Sequence, residues 1–451
     1  MILGEIYMKQ QTAISGYINI GENKYAFILE NYKGKIFNNA PNVFWARKVD
    51  MPKIIYGVTD KNYNIALCIS NPHESGNCII FSCPYYIMDK ANCFNYNIPE
   101  FKEIEFVGES LNLIIDPTEI YDDTLKFENN IYEEGCSIKF KPLRNVSKRF
   151  NLNIYNKDVE FEYSIIPYQK RKENKLGETN SKIKIKFKNV QKIENLEQWY
   201  LFVKKLTSLL VLQHNIDFDS IRLFYELSFG NGKTMNHYAN LFVNQNYINL
   251  ASKNPICCLE LKLFNELMEN LINILENDKF SIMFLPDSNN ETYTIDYENV
   301  KNICTALEFE FQQNKMKLEK NKIIVDLQRL VKLEIKKFKD ANSSLDKDDY
   351  ASIESNVDKW TLPAKKQIWA LYENYIDIIE YICNKKAIYL TYQNICDFIK
   401  FRNKITHGEF PHFTEEIANT AYGLKILIYI SLLKRIGLDD ETIKDRLCFV
   451  F

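Results

Sequence analysis

The chain is 451 residues long, and its 57 Lys+Arg against 59 Asp+Glu leave a formal net charge of −2. A hydrophobic share of 46% with 26% charged residues is that of a globular protein, which excludes wholesale disorder and collagen-like repeats. Near-zero net charge supplies no global attraction for a polyanion, so any nucleic-acid surface must be a local patch. The length predicts two or three domains.

The opening residues Met1 to Tyr7 carry an acid at Glu5 and lack the basic-then-apolar layout of a secretory leader. No run of about 18 apolar residues occurs. The stretch from Trp199 to Leu212 is broken by Lys204 and Lys205 and reads as a buried helix. Eleven scattered cysteines, an odd number, fit reduced thiols. A cytoplasmic location without a membrane partner is the expectation.

Up to about Lys192 short alternating runs recur between Asn, Gly and Pro. Strands are expected at Gly16 to Ile20, Tyr25 to Leu29, Lys53 to Tyr56, Asn64 to Ile69, Cys78 to Cys83, Glu103 to Val107, Ser137 to Phe140 and Val159 to Ile165. The clearest is Ser181 to Asn189, with Lys182, Lys184, Lys186 and Lys188 on one face and Ile183, Ile185 and Phe187 on the other. So many short strands suggest a sandwich or a barrel-like domain. Helical spacing follows at about 194–216 and 259–278. Between them Ile221 to Leu227, Gly230-Asn231-Gly232 and Thr234 to Phe242 read as a hairpin. The Pro286 to Asn290 loop sets the expected boundary, giving a β-rich sensor or regulatory domain at 1–290 and a helical bundle at 291–451. The fold class is therefore α+β.

In the second region Val300, Ile303, Cys304, Leu307 and Phe311 make one helical stripe, and Ile323, Leu327, Leu330, Val331 and Phe338 a second. A polar loop is expected from Asp340 to Asp358. A third helix starts after Pro363 with the stripe Ile368, Leu371, Tyr372, Tyr375, Ile379 and Ile382. A fourth runs from about Thr391 to His407. The fifth has Thr414 as cap, Glu415 and Glu416 in its first turn, Lys434 and Arg435 in its last and Gly437 as stop. Five helices with short connections predict an antiparallel bundle.

The fourth helix ends in Arg402-Asn403-Lys404-Ile405-Thr406-His407-Gly408. Asn403 and His407, four apart, share a face that Arg402 flanks, and Gly408 can supply a left-handed stop. Cleavage of RNA through its own 2′-hydroxyl requires proton transfer and a cation for the phosphorane. Histidine titrates near neutrality and fills a proton role; arginine stays charged and forks onto phosphate oxygens; asparagine can orient a phosphate or the imidazole. The plain alternative is a helix end where Arg402 meets a carboxylate and His407 caps carbonyls.

Arg402-Asn403-x-x-x-His407-Gly408, at the end of the penultimate long helix, resembles the Arg-x4-6-His motif of HEPN ribonucleases. The layout, a long β-rich region followed by the bundle, is similar to the ApeA-like subfamily. The resemblance covers about 290–451 by motif and helix order, and 1–290 by layout alone. It implies a metal-independent endoribonuclease without cofactor. It also implies a homodimer or higher homo-oligomer through the bundle, with two motifs facing each other. The implied setting is bacterial anti-phage abortive infection, with RNA, tRNA in particular, as substrate and a phage trigger as partner. Under it Arg402 stabilises the phosphorane, His407 does acid/base work and Asn403 positions the phosphate. HEPN toxins paired with nucleotidyltransferase antitoxins carry a Tyr two residues after the His; Glu409 stands there in this chain. The alternative from another class is a non-catalytic HEPN dimerisation and RNA-binding module.

Other features read more plainly. Gly230-Asn231-Gly232-Lys233-Thr234 imitates the end of a P-loop, but Leu227 stands where its first Gly belongs, and a hairpin turn explains it. Cys68, Cys78, Cys83 and Cys93 lack any Cys-x2-4-Cys pair and read as buried thiols, with no metal site expected. Cys257 and Cys258 are adjacent. His73, His214 and His237 attach to no motif, and His412 lies on an exposed loop. Two basic zones, Lys170 to Lys175 with the Lys182–Lys188 face, and Lys332, Lys336, Lys337 and Lys339, read as a protected edge strand and a solvated helix face, with an RNA track as the functional alternative. The ending Cys448-Phe449-Val450-Phe451 imitates a prenylation box and reads as an aromatic tail packed on the bundle.

Overall fold

The computed structural model describes residues 13–37, 51–89, 100–115, 121–122, 139–140, 146–170, 175–214, 216, 218–228, 234–244, 258–279, 283–286, 294–316, 322–342, 347–358 and 363–451. The chain divides into two compact units, Met1–Glu276 and Asn277–Phe451. It has an N-terminal antiparallel β-sheet region followed by a C-terminal helical region, an α+β protein. The division falls ahead of the expected 290 because the chain after Asn277 already packs in the helical unit. There the Lys279 carbonyl accepts from Arg435 at 2.7 Å and Phe284 packs edge-on against Tyr429.

The first unit contains β1 (Ile14–Ile20), β2 (Asn23–Glu30), β3 (Lys33–Phe37), β4 (Ile54–Thr59), β5 (Asn64–Cys68), β6 (Ser70–Ser75), β7 (Cys78–Ser82), β8 (Tyr85–Asp89) and β9 (Glu100–Val107). It continues through α1 (Glu109–Ile114), β10 (Tyr121–Asp122), β11 (Lys139–Phe140), β12 (Val146–Ile154), β13 (Lys157–Lys170) and β14 (Lys175–Lys192). Last come α2 (Leu196–Val211), β15 (Ser220–Ser228), β16 (Thr234–Val243) and α3 (Met268–Glu276). Fourteen strands form one sheet in the order β12-β13-β14-β9-β15-β16-β8-β5-β4-β1-β2-β3-β7-β6, and β10 pairs with β11 separately. The many short strands suggest a sandwich or a barrel-like domain; hydrogen bonding runs unbroken through all fourteen as one sheet. Each hairpin adds an antiparallel neighbour, and strand twist lets so wide a sheet coil.

One core gathers Ile18, Phe27, Ile36, Leu67 and Phe81 from β1–β7. A second lies under α2, where Trp199 packs on Phe187 of β14 and on Tyr155, and Phe218 packs on Phe106 of β9. The β15–β16 hairpin pairs Ile221 with Leu241 through Ser228 with Thr234. The expected turn, Gly230-Asn231-Gly232, lies outside the described residues, as do Asp287 to Asn290, Met1 to Tyr7, Cys93, Cys257, Arg171 and Lys172.

Eight helices are described in the second unit: α4 (Tyr297–Gln313), α5 (Lys322–Ala341), α6 (Lys347–Asp358), α7 (Ala364–Asn374), α8 (Ile376–Lys385), α9 (Tyr392–Thr406), α10 (Glu415–Ile436) and α11 (Asp440–Val450). Three depart from the five-helix expectation. Most of the expected polar loop is α6, because Tyr350 and Val357 return to one face at helical spacing and are buried, and the Val357 carbonyl accepts from Gln328 of α5 at 3.0 Å. The third helix breaks at Tyr375, whose φ of −121° leaves the helical region while its hydroxyl donates to Asn314 at 2.7 Å. The end of the chain forms α11, capped by Asp439 and seated through Ile443 and Leu447. Phe451 packs on Tyr422 and Tyr429, as the aromatic tail predicts. Among the described residues no helix is long and apolar enough to cross a membrane.

Candidate active site

Helix α9 carries the Arg-Asn-His motif to a fixed place. Thr391 caps its start in a reciprocal box with Asn394. Ile395, Phe398, Phe401 and Ile405 recur at helical spacing and are buried, so the face with Lys404 and His407 turns outward. The helix stops where expected. Glu409 N–H donates to the Lys404 carbonyl at 3.0 Å, Gly408 N–H to Ile405 at 3.1 Å, and Gly408 takes φ +84°. That paired closure requires the left-handed conformation glycine adopts without strain.

Arg402 is half-buried. Its Nη1 donates to Asn403 Oδ1 at 3.2 Å, and its Nη2 lies 3.6 Å from Glu308 Oε1 on α4. Below it is the buried thiol of Cys304, pushed up to about 12 by burial, which the Arg402 charge opposes. His407 is exposed, and its backbone N–H donates to the carbonyls of Asn403 and Lys404. The structure thus joins Arg402 and Asn403 directly. No hydrogen bond among the described residues links the His407 imidazole to either, and the ring stands in solvent at the helix end.

Two features escape a reading of the sequence. Glu308, which holds Arg402, comes from a helix far back in the chain, one turn after Cys304 of the α4 stripe. The loop after Gly408 is also anchored: Tyr297 at the start of α4 donates its hydroxyl to the Pro411 carbonyl at 3.1 Å and packs against Phe413 and Phe401.

The other candidates resolve one by one. Lys182 pairs with Glu105 at 3.0 Å, Lys184 with Glu103 at 2.7 Å, Lys186 with Glu160 at 3.1 Å and Lys188 with Asp158 at 3.5 Å. These cross-strand pairs neutralise the row. On α5, Lys337 pairs with Glu334 and Lys339 lies over the Tyr350 ring. The Lys170 and Lys175 side chains lie outside the described residues. His237, Tyr225 and the buried carboxylate of Asp89 form a polar cluster in the sheet, with His237 Nε2 2.6 Å from Asp89 Oδ1 and the Tyr225 hydroxyl donating to Oδ2 at 2.5 Å. Cys68 and Cys83 are buried, and burial raises both thiols. His412 is exposed beside Phe413. Compared with protein-family models, curated proteins and solved structures, the chain matches none of them.

Proposed function

We propose that the protein is a metal-independent endoribonuclease of the HEPN type, acting on RNA, with tRNA the first substrate to test, in abortive infection. The observation that carries the reading is the end of α9: an arginine, an asparagine hydrogen-bonded to it, and an exposed histidine one turn on, rigidly closed by Gly408. In the proposed reaction the 2′-oxygen attacks phosphorus, its proton passes to a base, the bond to the 5′-oxygen breaks, and that oxygen takes a proton. Arg402 neutralises the phosphorane, Asn403 steers the guanidinium or a phosphate oxygen, and His407 carries a proton. One histidine fills one proton role at a time, which fits a site completed by a second protomer. A homodimer is supported by the exposed apolar stripe on α5, where Leu330 and Phe338 remain 57% and 59% exposed.

A digest of total RNA and tRNA in EDTA tests this, with wild type beside His407→Ala. The expected result is cutting by wild type alone, leaving 2′,3′-cyclic phosphate and 5′-hydroxyl ends, with a loss of at least about a hundredfold in the variant. Cleavage that survives the substitution, or that requires a divalent metal, contradicts the reading. One observation favours the non-catalytic RNA-binding alternative: Arg402 is engaged by Glu308, and no hydrogen bond among the described residues ties it to His407. RNA binding without cleavage by the wild type is the result that alternative expects.

A further inference from the structure

The segment from Gly408 to Phe413 leaves α9 beside His407 and is held at three points. Its first residues close the helix, the Pro411 carbonyl accepts from Tyr297, and Phe413 packs 4.9 Å from Tyr297 and 4.8 Å from Phe401, centroid to centroid. Of the four rings gathered here, Phe401 is buried, and Tyr297 and Phe413 are half-buried. Phe410 is 76% exposed and forms a T-shaped pair with Tyr297, centroids 5.6 Å apart and ring planes at 70°. A single exposed apolar side chain is ordinary. This one is set apart by the anchoring of its loop and by its nearness in the chain to His407, since three residues keep the two Cα atoms within about 10–11 Å. Lys404, His407 and His412, all within six residues of it in the chain, are exposed, as is its neighbour Glu409.

An open aromatic face next to cationic and imidazole groups is the chemistry that holds unpaired nucleobases: the ring stacks on any base while cations follow the phosphates. We infer that Phe410 is a stacking platform for the nucleotide adjoining the phosphate held by Arg402 and Asn403, and that it selects single-stranded RNA. The inference rests on the ribonuclease reading, because it takes its phosphate from that site. Duplex RNA keeps its bases inside the helix and offers Phe410 nothing to stack.

The test is fluorescence anisotropy in EDTA with the full chain carrying His407→Ala, which prevents cleavage. The probes are a short labelled single-stranded oligoribonucleotide and the same strand in a duplex. Adding Phe410→Ala is expected to weaken single-strand binding about tenfold and leave duplex binding unchanged, while Phe410→Trp keeps the parent affinity. Equal single-strand affinity of parent and Phe410→Ala overturns the platform. An equal loss for both probes also overturns it, since that reports loop collapse. A parent that binds no RNA removes the ribonuclease reading together with the platform. Cleavage that depends on Arg402 and His407 but ignores Phe410 removes the platform alone.

Discussion

Among the helices described in the second unit α10 and α5 are the longest, 22 and 20 residues, and their fates are opposite. α10 is enclosed: α4, α7, α8, α9 and α11 pack around it, and Ile426, Leu427 and Ile428 are buried in succession. A helix apolar all round belongs in a core. α5 has a single apolar stripe, packs chiefly on α6 and buries none of its residues. Periodicity identifies α5 as a helix, and its end signals from Thr414 to Gly437 identify α10. Only composition around the full circumference tells which is central, because a one-faced helix needs a cover, and among the described residues none buries the α5 stripe. The contrast yields a rule that experiment can break: substitutions on α10 change the stability of the protomer, and substitutions on α5 change its assembly.

The largest stability effect is expected at Arg435. Its Nε and Nη2 fork onto Glu310 at 2.9 and 2.6 Å, Ser431 donates to the same carboxylate at 2.7 Å, and Asn314 links Ser431 to Tyr375. Burial raises Glu310 against the pull of Arg435 and Ser431. Arg435→Ala leaves that carboxylate uncompensated, and urea unfolding should show a loss of about 3–5 kcal/mol. A loss under about 1 kcal/mol contradicts the enclosed-network account.

Next comes Lys425, in the middle of α10 and buried, whose ammonium has no hydrogen-bond partner among the described residues. Burial lowers it from 10.5 to about 8, with Asp296 pulling the other way. Below about 8 the group is charged in both folded and unfolded chains, so the desolvation cost is present in full. Between about 8 and 10.5 the unfolded chain binds more protons than the folded one, so stability rises with pH across that window. Lys425→Met should stabilise the protomer at pH 7 by about 3 kcal/mol and abolish that rise. Parallel stability profiles for the two proteins from pH 7 to about 10 contradict the assignment.

What the sequence discloses follows the same division between local and distant causes. In β14 the alternation of lysines with Ile183, Ile185 and Phe187 is legible because each residue declares its own face. β6, Ser70–Ser75, contains Pro72 and no aliphatic residue, and is a strand only because β7 offers it backbone partners. The acids around Tyr350, Ile353 and Val357 disguise α6 as a loop, although their spacing of three and four is helical. At the site, Arg402, Asn403 and His407 are legible because Gly408 ends the helix beside them. Glu308 and Tyr297 are not, since their roles arise only when α4 packs against α9. Glu308→Ala should therefore cost little, less than about 1 kcal/mol by thermal unfolding, because the 3.6 Å pair is half-exposed and screened. A larger loss makes the pair a structural strut instead of a loose restraint on Arg402.

The smallest stability effect and the sharpest test belong to α5. Leu327 and Leu330 lie close together on the exposed stripe, 45% and 57% exposed, in line with Phe338. The double variant Leu327→Glu, Leu330→Glu keeps helix propensity and replaces no buried residue, so at concentrations where both proteins are monomeric its unfolding free energy should match wild type within about 0.5 kcal/mol. If the stripe is where two copies meet, four carboxylates are forced into one apolar seam. Light scattering should then report a monomer where the wild type gives a dimer, and RNA cleavage should fall with it, because the site at the end of α9 loses the second protomer's proton-transfer group. A variant that stays dimeric and active places the interface elsewhere on the bundle. A variant that is monomeric yet fully active separates assembly from chemistry, and a single protomer must then supply both the proton acceptor and the proton donor, for which the exposed His412 near the motif is the first group to remove.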